Sequence, residues 1–180
     1  MGVDSSHWVC FSHGLESGPS GLKINALSKV AQQAGWEVES LDYRGINDPH
    51  ERVAKLESWC DAIKDPYLLV GSSMGGHVAA AAAAGDCRDP LGLFLMAPAF
   101  YVPGYAELTP QAPACPTVIV HGWHDEVIPW QNSARFAERS GCGLILVDDD
   151  HRLASKLDHI AKEFEWFLAS LVPPANLINC

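Results

Sequence analysis

Six short apolar runs alternate with five segments of helical period, and this alternation constrains the fold more than any other feature of the chain. The runs are His7 to Ser12, Trp36 to Leu41, Tyr67 to Val70, Leu91 to Met96, Thr117 to Val120 and Leu144 to Val147. Apolar runs of this length suit strands buried on both faces, as in a parallel sheet. The helical segments carry apolar residues three or four apart. Leu22, Ile24, Leu27 and Val30 mark the first, ended by Gly35, and Pro49 to Ile63 form the second. Gly76 to Ala84 form the third, Pro129 to Ser140 the fourth, and Leu153 to Leu171 the last. Strand and helix alternating, with one break between the fourth and fifth runs, predict an α/β fold with a mostly parallel sheet and right-handed crossovers. Residues 1–172 read as a single domain and 173–180 as a C-terminal tail. The stretch from Ala97 to Pro116, rich in proline and aromatic residues, is too short for a helical cap and reads as a rim.

The bulk properties narrow the partners. A chain of 180 residues with 48% hydrophobic and 19% charged residues suits an ordinary globular protein. A formal net charge of -10 argues against nucleic acid or an anionic membrane as a partner. No apolar run reaches the length of a bilayer span. The opening residues lack the pattern of a secretory leader, so a cytoplasmic location is expected. They match a loose myristoylation pattern that no basic patch supports. The six cysteines are irregularly spaced and read as reduced, mostly buried thiols rather than a disulfide framework. 

Chemistry concentrates in Gly71-Ser72-Ser73-Met74-Gly75, which joins an apolar run to an alanine-rich one. A G-x-S-x-G between strand and helix forces the serine into a tight turn and presents its hydroxyl at the sheet tip. Only Ser73 has glycine at both required offsets. A serine hydroxyl needs a base, an acid to orient that base, and donors for a developing oxyanion. Asp125, in the loop beyond the fifth strand, is the candidate acid, with Glu126 as the fallback and helix capping as the competing role. His151, in the loop after the sixth strand, is the candidate base. The three aspartates before it, Asp148 to Asp150, are expected to favour its charged form, so activity should fall in acid. The remaining histidines fit less well. His121 and His124 stand too close in sequence to Asp125 to approach Ser73 from a separate loop. The candidate oxyanion donors are the amides of Met74, at a helix start, and of Leu15, after Gly14. Asp42 and Arg44 read as a structural ion pair or turn stabiliser, with substrate binding as the alternative. A metal site built from His121, His124 and Asp125 has poor spacing and is not expected. Phe100, Tyr101, Tyr105, Trp123 and Trp130 are candidates to line a pocket.

Together these motifs resemble the α/β-hydrolase superfamily. They are His13-Gly14 after a strand, Asp42-Tyr43-Arg44-Gly45 after the next, Gly71 to Gly75, His121-Gly122 leading to Asp125 and Pro129, and His151 late in the chain. The match spans nearly the whole chain, and the chain looks like the small, cap-less serine-esterase branch. The resemblance implies a three-layer sandwich around a six-stranded sheet of order 2-1-3-4-5-6, with the site where strand order reverses. It implies a serine hydrolase of esters or thioesters that needs no cofactor and acts on a small-molecule acyl substrate. A small-substrate amidase and a non-catalytic binding protein on the same fold remain as alternatives.

Overall fold

The computed structural model describes residues 6–87, 89–103 and 106–172. Six strands, β1 (Trp8–Ser12), β2 (Glu37–Leu41), β3 (Tyr67–Ser72), β4 (Leu93–Met96), β5 (Thr117–Gly122) and β6 (Gly143–Val147), form one sheet. Its order is β2-β1-β3-β4-β5-β6, and every neighbouring pair is parallel. Four α-helices, α1 (Leu22–Gln33), α2 (Pro49–Ala62), α3 (Met74–Ala84) and α4 (Trp130–Ser140), connect strands, and α5 (Leu157–Leu171) follows β6; no α-helix stands between β4 and β5 among the described residues. The order predicted from the resemblance is the order observed. 

Strand position follows from strand chemistry. The central β3 and β4 are buried along their whole length and carry no charge. The edge strand β2 reads Glu-Val-Glu-Ser-Leu, and its glutamates reach solvent, as an edge requires if it is not to recruit another strand. Two apolar layers sandwich the sheet. On one face Ile24, Leu27 and Ala31 of α1 join Ile160, Phe164 and Phe167 of α5 against Val9, Phe11, Phe94 and Met96. The Phe164 ring meets Phe94 edge-on at 5.0 Å, so Phe164→Ala would cost about 3–5 kcal/mol. On the other face Leu56 and Cys60 of α2, the alanines of α3 and Phe136 of α4 cover Cys10, Leu69 and Leu95. The alanine run lets α3 lie close on the sheet, and the helix is buried over most of its surface.

Local chemistry sets the helix boundaries. Asp48 caps α2 by accepting the His50 amide at 2.9 Å, with Pro49 in the first turn. Helix α3 begins two residues earlier than its apolar pattern suggests, directly after Ser73. Helix α5 begins at Leu157 rather than Leu153. Leu153 has φ 57°, and the Lys156 amide is taken by the Asp149 carboxylate at 2.9 Å, so the buried Leu153 anchors a turn instead of a helix. The rim holds one 3₁₀ turn, Ala106–Leu108. Tyr105, residues 1–5 and the tail 173–180 lie outside the described residues.

Contrary to the expectation of reduced thiols throughout, two cysteines are joined. Cys60, in the last turn of α2, and Cys87, just beyond α3, form a disulfide with Cα atoms 5.5 Å apart. The helix pair brings together two residues whose spacing in sequence gives no hint of it. Cys10 is buried and free, and Cys115 and Cys142 are half-buried and free.

Candidate active site

The chain leaves β1 toward β2 on one side and β3 toward β4 on the other, so the loops after β1 and β3 diverge. That divergence opens a crevice at the carboxyl ends of the strands, and Ser73 stands in it. Ser73 has φ 55° and ψ -121°, a conformation rare for a residue with a side chain. Such backbone strain costs about 1–3 kcal/mol and persists only where the surroundings over-determine it. Here they do. The Ser73 amide donates to Met96 O at 2.9 Å, and the Ser73 carbonyl accepts from Gly76, His77 and Ala99 at 2.9, 3.2 and 3.0 Å. Glycine at 75 is obligatory, because a Cβ there would collide with the carbonyl of Ser12 and lie 2.7 Å from that of His13.

The His151 imidazole reaches Ser73 from the loop between β6 and α5. Its Nε2 lies 3.1 Å from Ser73 Oγ, and its Nδ1 lies 2.7 Å from Asp125 Oδ2. Since the carboxylate only accepts, Nδ1 carries the hydrogen and Nε2 is free to accept the serine proton. Two loops must approach closely to bring His151 here. Gly122, the last residue of β5, permits it: a Cβ there would collide with Asp149 O and lie 2.7 Å from Asp150 O. The Trp123 and His124 amides then donate to Val147 O and Asp149 O at 2.8 and 3.0 Å.

Asp125 has a fully buried side chain. Its Oδ1 accepts the Val127 and Ile128 amides at 2.9 and 2.8 Å, and its Oδ2 accepts from His151 and from His121 Nε2 at 2.9 Å. Burial pushes the carboxyl up, but the hydrogen bonds from His121, His151 and the Ile128 amide outweigh it and hold Asp125 well below the usual carboxylate range. Glu126, the alternative acid, is exposed. The aspartates before His151 are occupied elsewhere. Asp148 pairs with His124 at 2.9 Å, Asp149 accepts the amides of Asp150 and Lys156, and Asp150 accepts the Arg152 amide. Asp125 is the carboxylate that bonds the His151 ring.

Met74 is the first residue of α3, so its amide lies at the positive end of the helix. Leu15 follows Gly14, whose position packs against Ser73: a Cβ added there would lie 3.3 Å from Ser73 Cβ. His13 Nδ1 donates to the Gly14 carbonyl at 2.7 Å, and the Tyr43 amide donates to His13 Nε2 at 2.8 Å. In a trans peptide the N–H points opposite to the C=O. Fixing the Gly14 carbonyl toward the His13 ring therefore turns the Leu15 amide the other way.

Asp42 and Arg44 form an exposed ion pair, with Arg44 Nη2 2.6 Å from Asp42 Oδ2. Of the candidate pocket aromatics, Phe100 belongs to the core, buried and stacked on Phe136 at 4.2 Å. Tyr101 lies under the Arg135 guanidinium at 4.1 Å, and Trp123 meets Trp130 edge-on at 4.8 Å. Three residues enter the site without having been singled out for it. They are His121 on Asp125, Lys23 of α1, whose ammonium donates to the His151 carbonyl at 3.3 Å, and Arg52. The guanidinium of Arg52 is buried and donates to the carbonyls of Ile46, His13 and Tyr43 at 2.7, 3.2 and 3.4 Å.

Comparison with known proteins agrees with this architecture. The sequence model of the family described as "Uncharacterised protein family (UPF0227)" matches residues 9–103. A crystal structure of a candidate hydrolase of the alpha/beta superfamily from Xanthomonas campestris pv. campestris is 34% identical, with a TM-score of 0.83 over 92% of this chain and 99% of that one. Est1E from Butyrivibrio proteoclasticus shares the fold at 17% identity, with a TM-score of 0.83 over 94% of this chain and 89% of that one. The mouse palmitoyl-protein thioesterase ABHD10, a mitochondrial protein, is 23% identical over 86% of this chain and 69% of its own length. On the family match and the 34% identity together, the chain belongs to the UPF0227 family within the α/β-hydrolase superfamily.

Proposed function

We propose that the protein is a serine hydrolase that cleaves acyl esters or thioesters through an acyl-enzyme. Ser73 Oγ attacks the carbonyl carbon while His151 Nε2 takes its proton. Asp125 keeps the hydrogen on His151 Nδ1 and stabilises the imidazolium that forms. The negative oxygen of the tetrahedral intermediate is received by the amides of Leu15 and Met74. His151 then gives its proton to the leaving oxygen or sulfur, and later activates a water that releases the acid and regenerates Ser73.

The observation that carries this reading is the unbroken contact from Ser73 Oγ through His151 to Asp125, at 3.1 and 2.7 Å. A strained serine held by four backbone hydrogen bonds supports it. Membership of a hydrolase superfamily supports the broader class. Exposed apolar side chains on two loops at the carboxyl ends of the strands, Leu15 on one and Trp123 and Val127 on another, suit an acyl group. A fluorophosphonate probe followed by intact-mass analysis tests the proposal. One adduct on the wild type and none on Ser73→Ala is expected, with turnover in a panel of esters and thioesters of increasing chain length. Long-chain thioesters belong in the panel because the mouse relative is a palmitoyl-protein thioesterase. Folded wild type that takes no adduct and turns over no member of the panel would refute the proposal and favour a binding role.

A further inference from the structure

The Asp125 oxygen that meets His151 is shared with a second imidazole. Asp125 Oδ2 lies 2.7 Å from His151 Nδ1 and 2.9 Å from His121 Nε2. His121 is fully buried at the end of β5. Its Nε2 is also 3.0 Å from the Ile128 carbonyl, and its Nδ1 is 2.7 Å from Ser133 Oγ of α4. A carboxylate and a carbonyl both only accept, so Nε2 must carry the hydrogen. In the neutral ring Nδ1 is then an acceptor, and the Ser133 hydroxyl donates to it. The hydrogen-bonded chain runs Ser133, His121, Asp125, His151, Ser73, crossing from α4 through two strand-end loops to the elbow.

The placement of His121 is more specific than packing requires. Two backbone amides already hold Oδ1. His121 acts on the other oxygen, the one His151 uses. A donor on Oδ2 does two things. It removes the last rotational freedom of the carboxylate, so the lone pair facing His151 keeps its aim. It also draws charge from that oxygen, which moderates how strongly Asp125 favours the imidazolium over the neutral base. Among the described residues, the titratable groups that act on this carboxylate are His151, from the loop after β6, His121 from β5, and Lys23 from α1.

We propose that His121, set in its Nε2–H tautomer by Ser133, is a positioning residue that aims and tempers Asp125. This rests on the serine-hydrolase reading, and its test has one arm independent of turnover. His121→Ala removes the donor. His121→Gln returns an N–H near the Nε2 position. With a competent substrate, His121→Ala is expected to lower kcat about tenfold with little change in KM. The acid limb of its pH–rate profile should move to higher pH, and His121→Gln should recover most of both. Ser133→Ala, which frees the tautomer, should fall between wild type and His121→Ala. The second arm is an NMR titration of the His151 ring. Its midpoint should rise in His121→Ala and return toward the wild-type value in His121→Gln. Identical midpoints in all three folded proteins would overturn the proposal. So would equal loss of rate in the alanine and glutamine variants together with equal loss of melting temperature, which marks a merely structural role. Failure of Ser73 labelling would sink the serine-hydrolase reading while leaving the titration to decide what His121 does to Asp125.

Discussion

His13 Nδ1 holds the carbonyl of its own neighbour, Gly14, at 2.7 Å, and the ring is held in turn by the Tyr43 amide at 2.8 Å. Burial lowers the affinity of this imidazole for a second proton. It stays neutral, with hydrogen on Nδ1, and the peptide between Gly14 and Leu15 is locked. Replacing the ring by phenylalanine keeps the bulk and loses the lock. On the proposed mechanism, in which the Leu15 amide receives the oxyanion, His13→Phe is expected to lower kcat by at least about tenfold, since one such donor is worth roughly 10²–10³. KM should change little, because the amide matters most in the transition state. His13→Asn, which can donate to the same carbonyl, should lose less. Steady-state kinetics on the two variants checks the order.

Arg52 is buried with no carboxylate partner among the described residues, and its guanidinium ties the loop after β1 to the loop after β2 through three carbonyls. Its edge-spread donors suit that task where the compact ammonium of lysine does not. Arg52→Met leaves those acceptors without their donor inside the protein, at about 1–3 kcal/mol for an unsatisfied buried group. A loss of about 3 kcal/mol in urea denaturation is expected, and Arg52→Lys should not restore it. Full stability in Arg52→Lys would mean that charge alone, rather than the fork of donors, joins the loops.

The sequence carried the strand–helix alternation because each element keeps one period over its length. Strand order came only with the family resemblance, since period says nothing about which way a crossover turns. Ser73, Asp125 and His151, which the structure brings into contact, are legible as candidates because each lies in a loop beyond an apolar run. His121 stands too close to Asp125 in sequence to approach Ser73 as its base, and it bonds Asp125 instead. The turn through Gly122 folds the carboxylate back over the strand end, and that reversal is what makes closeness in sequence an advantage. Arg52 hid in a helix whose other charges face solvent, and a single buried polar residue leaves no periodic trace. Phe100 is one of five candidate pocket aromatics whose place the sequence leaves open, and its ring fills the core against Phe136.

The Cys60–Cys87 disulfide closes a loop of 27 residues between the ends of α2 and α3. Chain entropy alone gives such a bond about 3–4 kcal/mol. Cys60→Ser is expected to lower stability by about that amount in urea, with the fold retained. Both cysteines are buried, so a reductant reaches the bond only when the helix ends open. With reductant present, alkylation of the native protein should therefore be slow at these two sites, and intact mass before and after denaturing reduction should differ by the two hydrogens of this bond. Rapid alkylation of both thiols in native, unreduced protein would show that the pair is not oxidised.

Lys23 donates to the His151 carbonyl at 3.3 Å. Burial pushes its ammonium down from an ordinary value of 10.5 to about 8, against the pull of Asp125, Asp150 and Asp149. The sign of the consequence follows from proton counting. Between pH 8 and 10.5 the unfolded chain keeps this proton and the folded chain does not, so folding gains stability as pH rises through that window. Below pH 8 both states hold the proton and the desolvation cost is fully present. Cys10, Cys115 and Cys142 work in the opposite direction, because burial raises their folded values. The clean measurement is therefore the difference in unfolding free energy between wild type and Lys23→Met, which cancels the thiols. Wild type should gain on the mutant from pH 8 to pH 10. Activity should move the other way, since a neutral amine is a weaker donor to the His151 loop and the aim of that ring loosens. An alkaline decline in kcat that is present in wild type and absent in an already slower Lys23→Met would tie the two effects to one group. A stability difference that stays flat across the window would show that the ammonium is solvated after all.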